Sequence, residues 1–298
     1  MENLIHDTVM REQKKYYHVY TKGLEDDVIF RDRSDYVVGM NYVAVALKVA
    51  GVDLLVFVLM SNHFHFLVYA DRLSALKFID TYKRVISRYI RNTYGVSKLL
   101  RTIETSCSEV DMNDEAIKRL IAYILNNPVK AGVNCFPQNY EWGSGKCYFS
   151  NIDYLKNSRP LSELGTRERY SLLRSQVKLE DSLRINSEGY IEPDSYIRKD
   201  LVERIFRNVR SFEYFLSTAK RDASEESRQV VFSDTLVLAG VNEILEKRYE
   251  ALSVMELSEQ ARRLLVLEVK KQFNSPPKQL ARVLGLTISE VVNALNWH

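Results

Sequence analysis

Two histidines one residue apart, His63 and His65, stand inside a long apolar stretch that runs from Leu54 to Tyr69. Such a stretch reads as a buried strand, and alternate residues of a strand point to the same face. His63 and His65 then project side by side from one face, with Phe64 and Phe66 on the other. Burying two imidazoles costs free energy unless each finds a partner. A divalent metal held by both ring nitrogens is one solution. A pair of core histidines hydrogen-bonded to their neighbours is the other. The chain has only five histidines, so two of them paired in a strand is a notable use.

A second group of reactive side chains lies in the segment Arg119 to Pro128, where Tyr123 and Asn127 are four positions apart. On a helix that spacing puts both on one face. A phenol so placed can attack a phosphodiester and form a covalent phosphotyrosine, while a metal ion polarises the non-bridging phosphate oxygens. The Asn127 amide oxygen added to two imidazole nitrogens would make a three-ligand site open to phosphate and water. The plainer alternative is a core tyrosine with an asparagine serving as a cap before proline.

Several elements must position these groups. Tyr16 to Tyr20 reads as a strand closed by a turn at Lys22-Gly23. Tyr36 to Val49 reads as a helix ended by Gly51. Leu54 to Met60 and Phe64 to Tyr69 are strands, with Ser61-Asn62 near the turn. Ser74 is the expected N-cap of a helix reaching Tyr94 and closed by Gly95, and a weak strand follows within Leu99 to Val110. Asp111 to Asp114 supply caps for a helix from Glu115 to Asn126, which Pro128 ends at Asn127. This order predicts an α+β fold, a ferredoxin-like antiparallel sheet with helices on one face, complete near residue 150.

Beyond that point the texture changes. Ser150 to Thr166 contains Pro160 and Gly165 and reads as a linker. Arg167 to Lys220 is helical in parts, broken at Asn186-Ser187-Glu188-Gly189. Ala223 to Arg228 is a charged connection, and the rest to His298 is helical. Three regions result: 1–150, a linker and helical segment over 151–225, and a mostly helical C-terminal region over 226–298.

Composition excludes little. The chain has 298 residues, 46% apolar and 27% charged, with 18 tyrosines and a net charge of +3, an ordinary globular profile. Cys107, Cys135 and Cys147 are too far apart for a Cys-x-x-Cys zinc motif and fit a reducing cytoplasm. Met1 to Lys15 lacks the apolar core of a signal peptide, and the run Leu54 to Met60 is too short to span a bilayer. The expectation is a cytoplasmic protein with no membrane partner. Without a Gly-x-x-x-x-Gly-Lys-Ser/Thr loop, no nucleotide cofactor is expected and a self-contained replication initiator is disfavoured.

Met60-Ser-Asn-His-Phe-His-Phe-Leu-Val68 followed by Tyr123-Ile-Leu-Asn-Asn-Pro-Val-Lys-Ala-Gly132 resembles the single-tyrosine His-hydrophobic-His (HUH) transposases, and among them the REP-associated tyrosine transposases. Three more pieces match in order: His18-Val-Tyr-Thr-Lys-Gly23, Val28-Ile-Phe-Arg-Asp32 and Tyr140-Glu-Trp-Gly-Ser144. The resemblance covers residues 15 to 150. It implies a ferredoxin-like fold, His63 and His65 as paired metal ligands, Asn127 as third ligand and Tyr123 as nucleophile. It further implies a homodimer that cuts and rejoins single-stranded DNA beside a hairpin through a 5′-phosphotyrosine, with magnesium or manganese as the ion. Two nitrogens and an amide oxygen suit manganese better than magnesium. The chain departs from the family in two places. Ser61 stands where a proline is common, and no Gly-x-x-Trp-Gln segment is visible between Gly95 and Val110. Tyr89 and Tyr94 are competing nucleophiles; Tyr123 ranks first because only it pairs with an asparagine in the Asn-Pro context.

Nucleic-acid contacts have two candidate carriers. The helix after Ser74 bears Lys77, Lys83, Arg84, Arg88 and Arg91, with Lys98 and Arg101 just beyond. Arg84, Arg88 and Arg91 share a face and would attract phosphates, while Tyr82 and Tyr89 could stack on bases. A merely solvated helix face is the alternative. At the C-terminus an amphipathic helix, Leu257 to Phe273, precedes helix, turn and helix over Pro277 to Leu295, with Gly285 at the turn and Ser289 as cap. This reads as a helix-turn-helix, although its second helix is poor in Arg and Lys, and a packing hairpin is the other reading. The alternative function is a domesticated, non-catalytic DNA-binding protein or regulator acting through the basic helix and these C-terminal helices.

Overall fold

The structure is a computed structural model that describes residues 13–22, 24, 27–96, 104–133, 136–219 and 231–296. Gly23 of the first turn, Lys98, Arg101, Cys135, most of the expected signal-free N-terminus and the charged 223–228 connection lie outside the described residues.

The first elements are β1 (Lys15–Thr21), α1 (Arg33–Ala50), β2 (Asp53–Leu59), β3 (Phe64–Ala70), α2 (Arg72–Tyr94), β4 (Thr105–Glu109), α3 (Asp114–Leu125) and the short turn α4 (Asn127–Lys130). The strands form one sheet in the order β2-β3-β1-β4, every neighbouring pair antiparallel. This is the ferredoxin-like arrangement expected from the element order.

Caps set the helix ends. Asp32 opens α1, and Gly51, at φ 70°, closes it in the left-handed conformation that glycine adopts without a Cβ penalty. Asp71, not Ser74, caps α2: its carboxylate accepts the Ser74 N–H at 2.9 Å and the Ser74 hydroxyl at 2.7 Å. Asn113 caps α3, which ends at Leu125, slightly before the expected break. Pro128 sits in the first turn of α4, where its missing N–H leaves no bond unmade.

The strands β2 and β3 are buried almost throughout, because both faces of the sheet are covered. Phe64 and Phe66 pack against Tyr82 of α2, and Phe66 also against Phe78; Tyr82 in turn donates to the Gly39 carbonyl of α1 at 3.3 Å. Helices α1 and α2 thus share one face. Helix α3 lies across the other, so the helices are not all on one face as the element order suggested. The segment Tyr140 to Ser144 runs along the outer edge of β2. Leu59 N–H donates to Trp142 O at 2.8 Å, Ser144 N–H to Phe57 O at 3.1 Å, and the Tyr140 hydroxyl to Leu59 O at 2.9 Å. An otherwise open sheet edge is covered in this way.

Residues 151–219 carry β5 (Arg159–Pro160), α5 (Thr166–Leu173), β6 (Arg184–Ile185), α6 (Lys199–Phe206) and α7 (Val209–Ala219). Leu161, Ile185, Ile191, Phe206 and Phe212 belong to the same apolar core as the sheet. The stretch that reads as a linker is therefore packed, with Leu161 fully buried. A second core holds α8 (Asp234–Ile244), α9 (Glu259–Phe273), α10 (Pro277–Leu284) and α11 (Ile288–Leu295). Gly285, at φ 67°, ends α10, and Thr287 rather than Ser289 caps α11, with Glu290 closing a capping box. The two parts meet where Thr235 N–H donates to Arg31 O at 3.2 Å and Arg282 pairs with Asp27 at 3.2 Å. Among the described residues no helix is long and apolar enough to cross a membrane.

Candidate functional site

His63 ends the turn between β2 and β3, and His65 lies in the middle of the sheet between Tyr20 of β1 and Val58 of β2. The turn is held on several sides. Met60 N–H donates to His63 O at 2.8 Å, the Ser61 carbonyl accepts from Ile29 and Phe30, and the Asn62 carbonyl accepts from Leu24. The Ser61 hydroxyl donates to Val231 O. Both imidazoles are buried.

The hydrogen bonds define the chemistry nitrogen by nitrogen. Asn62 Nδ2 donates to Leu24 O at 3.0 Å, so its Oδ1 is an acceptor, and it lies 2.8 Å from His63 Nδ1. The neutral His63 ring then carries its proton on Nδ1 and a lone pair on Nε2. Asn127 is oriented in the same manner. Its Nδ2 donates to Tyr123 O at 3.0 Å and Ile124 O at 3.2 Å, which turns Oδ1 towards His63 Nε2 at 3.5 Å. Two lone pairs facing each other in a buried site repel unless a cation or a proton lies between them, so this donor set fits a divalent ion. Asn126, its neighbour, has a different task. Its Nδ2 donates to Ala122 O and Leu216 O and ties the end of α3 to α7.

Tyr123 is half-buried on α3. Its ring stands edge-on to His65, with centroids 5.7 Å apart at 88°, and to His18 at 6.2 Å and 83°. Lys130 Nζ lies 4.5 Å from the centre of the same ring, within cation–π range. His63, His65, Asn127 and Tyr123 are therefore brought together on one face of the sheet.

One member of this cluster, His18, is marked in the sequence only as part of the first strand and not as a site residue. His18 Nε2 is 3.0 Å from His65 Nδ1, and the two rings are stacked 5.2 Å apart at 14°. Tyr20 stacks on His65 at 5.5 Å. The alternation of β1 puts His18 and Tyr20 on one face, but only the pairing of β1 with β3 puts that face beside His65.

The competing tyrosines are elsewhere. Tyr89 and Tyr94 donate to Asp35 Oδ1 at 2.6 and 2.8 Å, on the α1–α2 side of the sheet. Burial and the bond to Asp35 push both phenols well above their ordinary range. Burial also raises the Asp35 carboxyl, against the opposing pull of the Tyr89 hydrogen bond. Neither tyrosine shares a face with the histidines, so the expectation of competition with Tyr123 is corrected.

The basic helix is also split by the fold. Arg84, Arg88 and Arg91 are exposed on α2, across the sheet from Tyr123. Lys83 turns instead towards β4, donating to Thr105 Oγ1 at 2.7 Å, and burial lowers the pKa of its ammonium. Tyr82 is fully buried and Tyr89 is 6% exposed, so neither can stack on bases as expected. On α11 the exposed side chains are Ile288, Ser289, Glu290, Val292 and Asn293, none of them basic.

Among the described residues no group of three or more His, Cys, Asp or Glu side chains is placed to hold a metal ion, so an ion here would need the amide oxygen of Asn127. No protein-family model matches the chain, and comparison with curated proteins and with solved structures gives no match.

Proposed function

We propose that the chain is a metal-dependent transposase that cleaves and rejoins single-stranded DNA through Tyr123. The observation that supports this reading is the convergence of His63, His65, Asn127 and Tyr123, drawn from two distant segments, around His63 Nε2 and Asn127 Oδ1 at 3.5 Å. The phenol oxygen of Tyr123 bonds to phosphorus as the P–O3′ bond breaks. The phenol gives its proton to water, the departing O3′ takes one up from water to leave as a 3′-hydroxyl, and a 5′-phosphotyrosine remains. A 3′-hydroxyl of another strand end then reverses the step and restores the phenol. When bound by His63, His65 and Asn127, Mn2+ or Mg2+ supplies Lewis-acid polarisation of the phosphate oxygens. Asn127 also fastens the helix end that bears Tyr123 through its bonds to the Tyr123 and Ile124 carbonyls. A hairpin beside the cleaved site and a homodimeric assembly are part of the proposal, carried by the resemblance of residues 15 to 150.

The test is a denaturing gel of the full chain with labelled single strands from the flanks of its own gene, in Mn2+. A slowly migrating adduct that needs metal and vanishes in Tyr123→Phe is expected. An adduct that survives Tyr123→Phe overturns the assignment. Clear binding in a native gel with no adduct would favour the second reading, a non-catalytic DNA-binding protein. The succession of α10, a turn at Gly285 and α11 is the observation in its favour.

A further inference from the structure

We infer that His18 is a positioning residue: it accepts the Nδ1–H of His65 and so holds that ring in the tautomer and rotation that leave Nε2 as a donor to a divalent cation. The inference rests on the reading of His63, His65 and Asn127 as a cation site.

His18 Nε2 and His65 Nδ1 are 3.0 Å apart, a hydrogen-bond distance that requires one proton between two nitrogens. If His18 supplied that proton, the neutral His65 ring would carry its own on Nε2 and could not ligate there. If His65 supplies it, Nε2 carries the lone pair. His63 is served in the same way by Asn62 Oδ1 at 2.8 Å. Each histidine of the pair thus has an acceptor at Nδ1, one from its chain neighbour and one from the adjoining strand. Such outer partners fix the tautomer and orientation of ligating imidazoles. Packing reinforces the bond. Tyr20 stacks on the His65 ring at 5.5 Å and lies tilted against His18 at 4.5 Å, and Tyr123 closes the edge of both histidines. His18 approaches Nδ1, the far side of the His65 ring from Nε2, so it is not itself assigned as a ligand.

Two measurements on the full chain test this. In ¹⁵N-histidine NMR of the metal-free protein, neutral His65 is expected as the Nδ1–H tautomer. In His18→Leu it is expected to move towards Nε2–H. In Mn2+ titrations followed by electron paramagnetic resonance, His18→Leu should weaken binding by about 10- to 100-fold. His18→Gln, whose amide oxygen can accept the same proton, should recover most of that loss. A wild-type His65 found as Nε2–H overturns the inference without recourse to any variant. So does a folded His18→Leu that binds Mn2+ as tightly as wild type. A wild-type chain that shows the Nδ1–H tautomer, loses it in His18→Leu and yet binds no Mn2+ supports the pairing but overturns the cation site, which separates the two failures.

Discussion

His63 Nε2 and Asn127 Oδ1 face each other at 3.5 Å although 64 positions separate them in the chain. Asn62 on one side and the Tyr123 and Ile124 carbonyls on the other leave both atoms as acceptors when the ring is neutral. A buried contact of this kind is stable only with positive charge in or beside it. The first prediction follows from that.

Replacing Asn127 by alanine removes an oxygen donor and both Nδ2 bonds. Mn2+ affinity is expected to fall by at least about tenfold, and the metal-free chain to lose about 1 kcal/mol of stability. Asn127→Asp keeps an oxygen and adds charge, so its Mn2+ affinity should equal or exceed wild type. Calorimetric titration and urea unfolding measure the two effects. Alanine and wild-type chains with equal affinity would remove Asn127 from the site.

The three tyrosines should separate cleanly. Tyr123→Phe keeps the ring that packs against His65, His18 and Lys130, so the variant should fold and bind DNA while forming no adduct. Tyr89→Phe and Tyr94→Phe should keep the adduct but each lose about 1 kcal/mol or more, because a buried carboxylate loses a donor. Loss of the adduct in a stably folded Tyr89→Phe would refute this division.

Arg84, Arg88 and Arg91 form an exposed stripe of cations on one face of α2. If they neutralise phosphates of a single strand, changing all three to glutamine should lower the slope of log affinity against log salt by roughly 2. The rate of adduct formation at saturating DNA should not change, since the stripe lies across the sheet from Tyr123. Lys83→Gln should leave the slope as it is, because Lys83 is turned to Thr105. An unchanged slope in the triple variant would identify the stripe as a solvated face.

The Asp71 cap of α2 gives a stability effect with a defined pH sense. The Ser74 hydroxyl and N–H hold its carboxyl below the usual range. A carboxyl depressed in the folded state contributes stability above its unfolded pKa and loses it as pH falls through the folded value. Asp71→Ala should therefore cost about 1 kcal/mol at neutral pH, with the gap from wild type closing in strong acid. Urea unfolding at the two pH values checks it, and a gap that widened in acid would contradict the assignment.

Much of the α+β layout was legible from the sequence alone, because the signals are local. Alternation set the strands β1 and β3, helical spacing set α1, α2 and α3, and Gly51 and Gly95 marked two helix ends through their left-handed backbone. The same periodicities placed His63 with His65 and Tyr123 with Asn127. Cap residues were less legible, since Asp71 competes with Ser74 and Thr287 with Ser289, and only the backbone path decides between them. Periodicity says which residues share a face. It does not say what covers that face. The order β2-β3-β1-β4 and the passage of α3 over the uncovered side decided that Tyr123, not Tyr89 or Tyr94, meets the histidines. The β1–β3 register decided that His18 joins them. Long-range packing likewise drew residues 151–219 into the first core and buried Tyr82 and Tyr89 away from any nucleic acid. These are contacts between segments far apart in the chain, fixed by the joint burial of many side chains, and no local pattern records them.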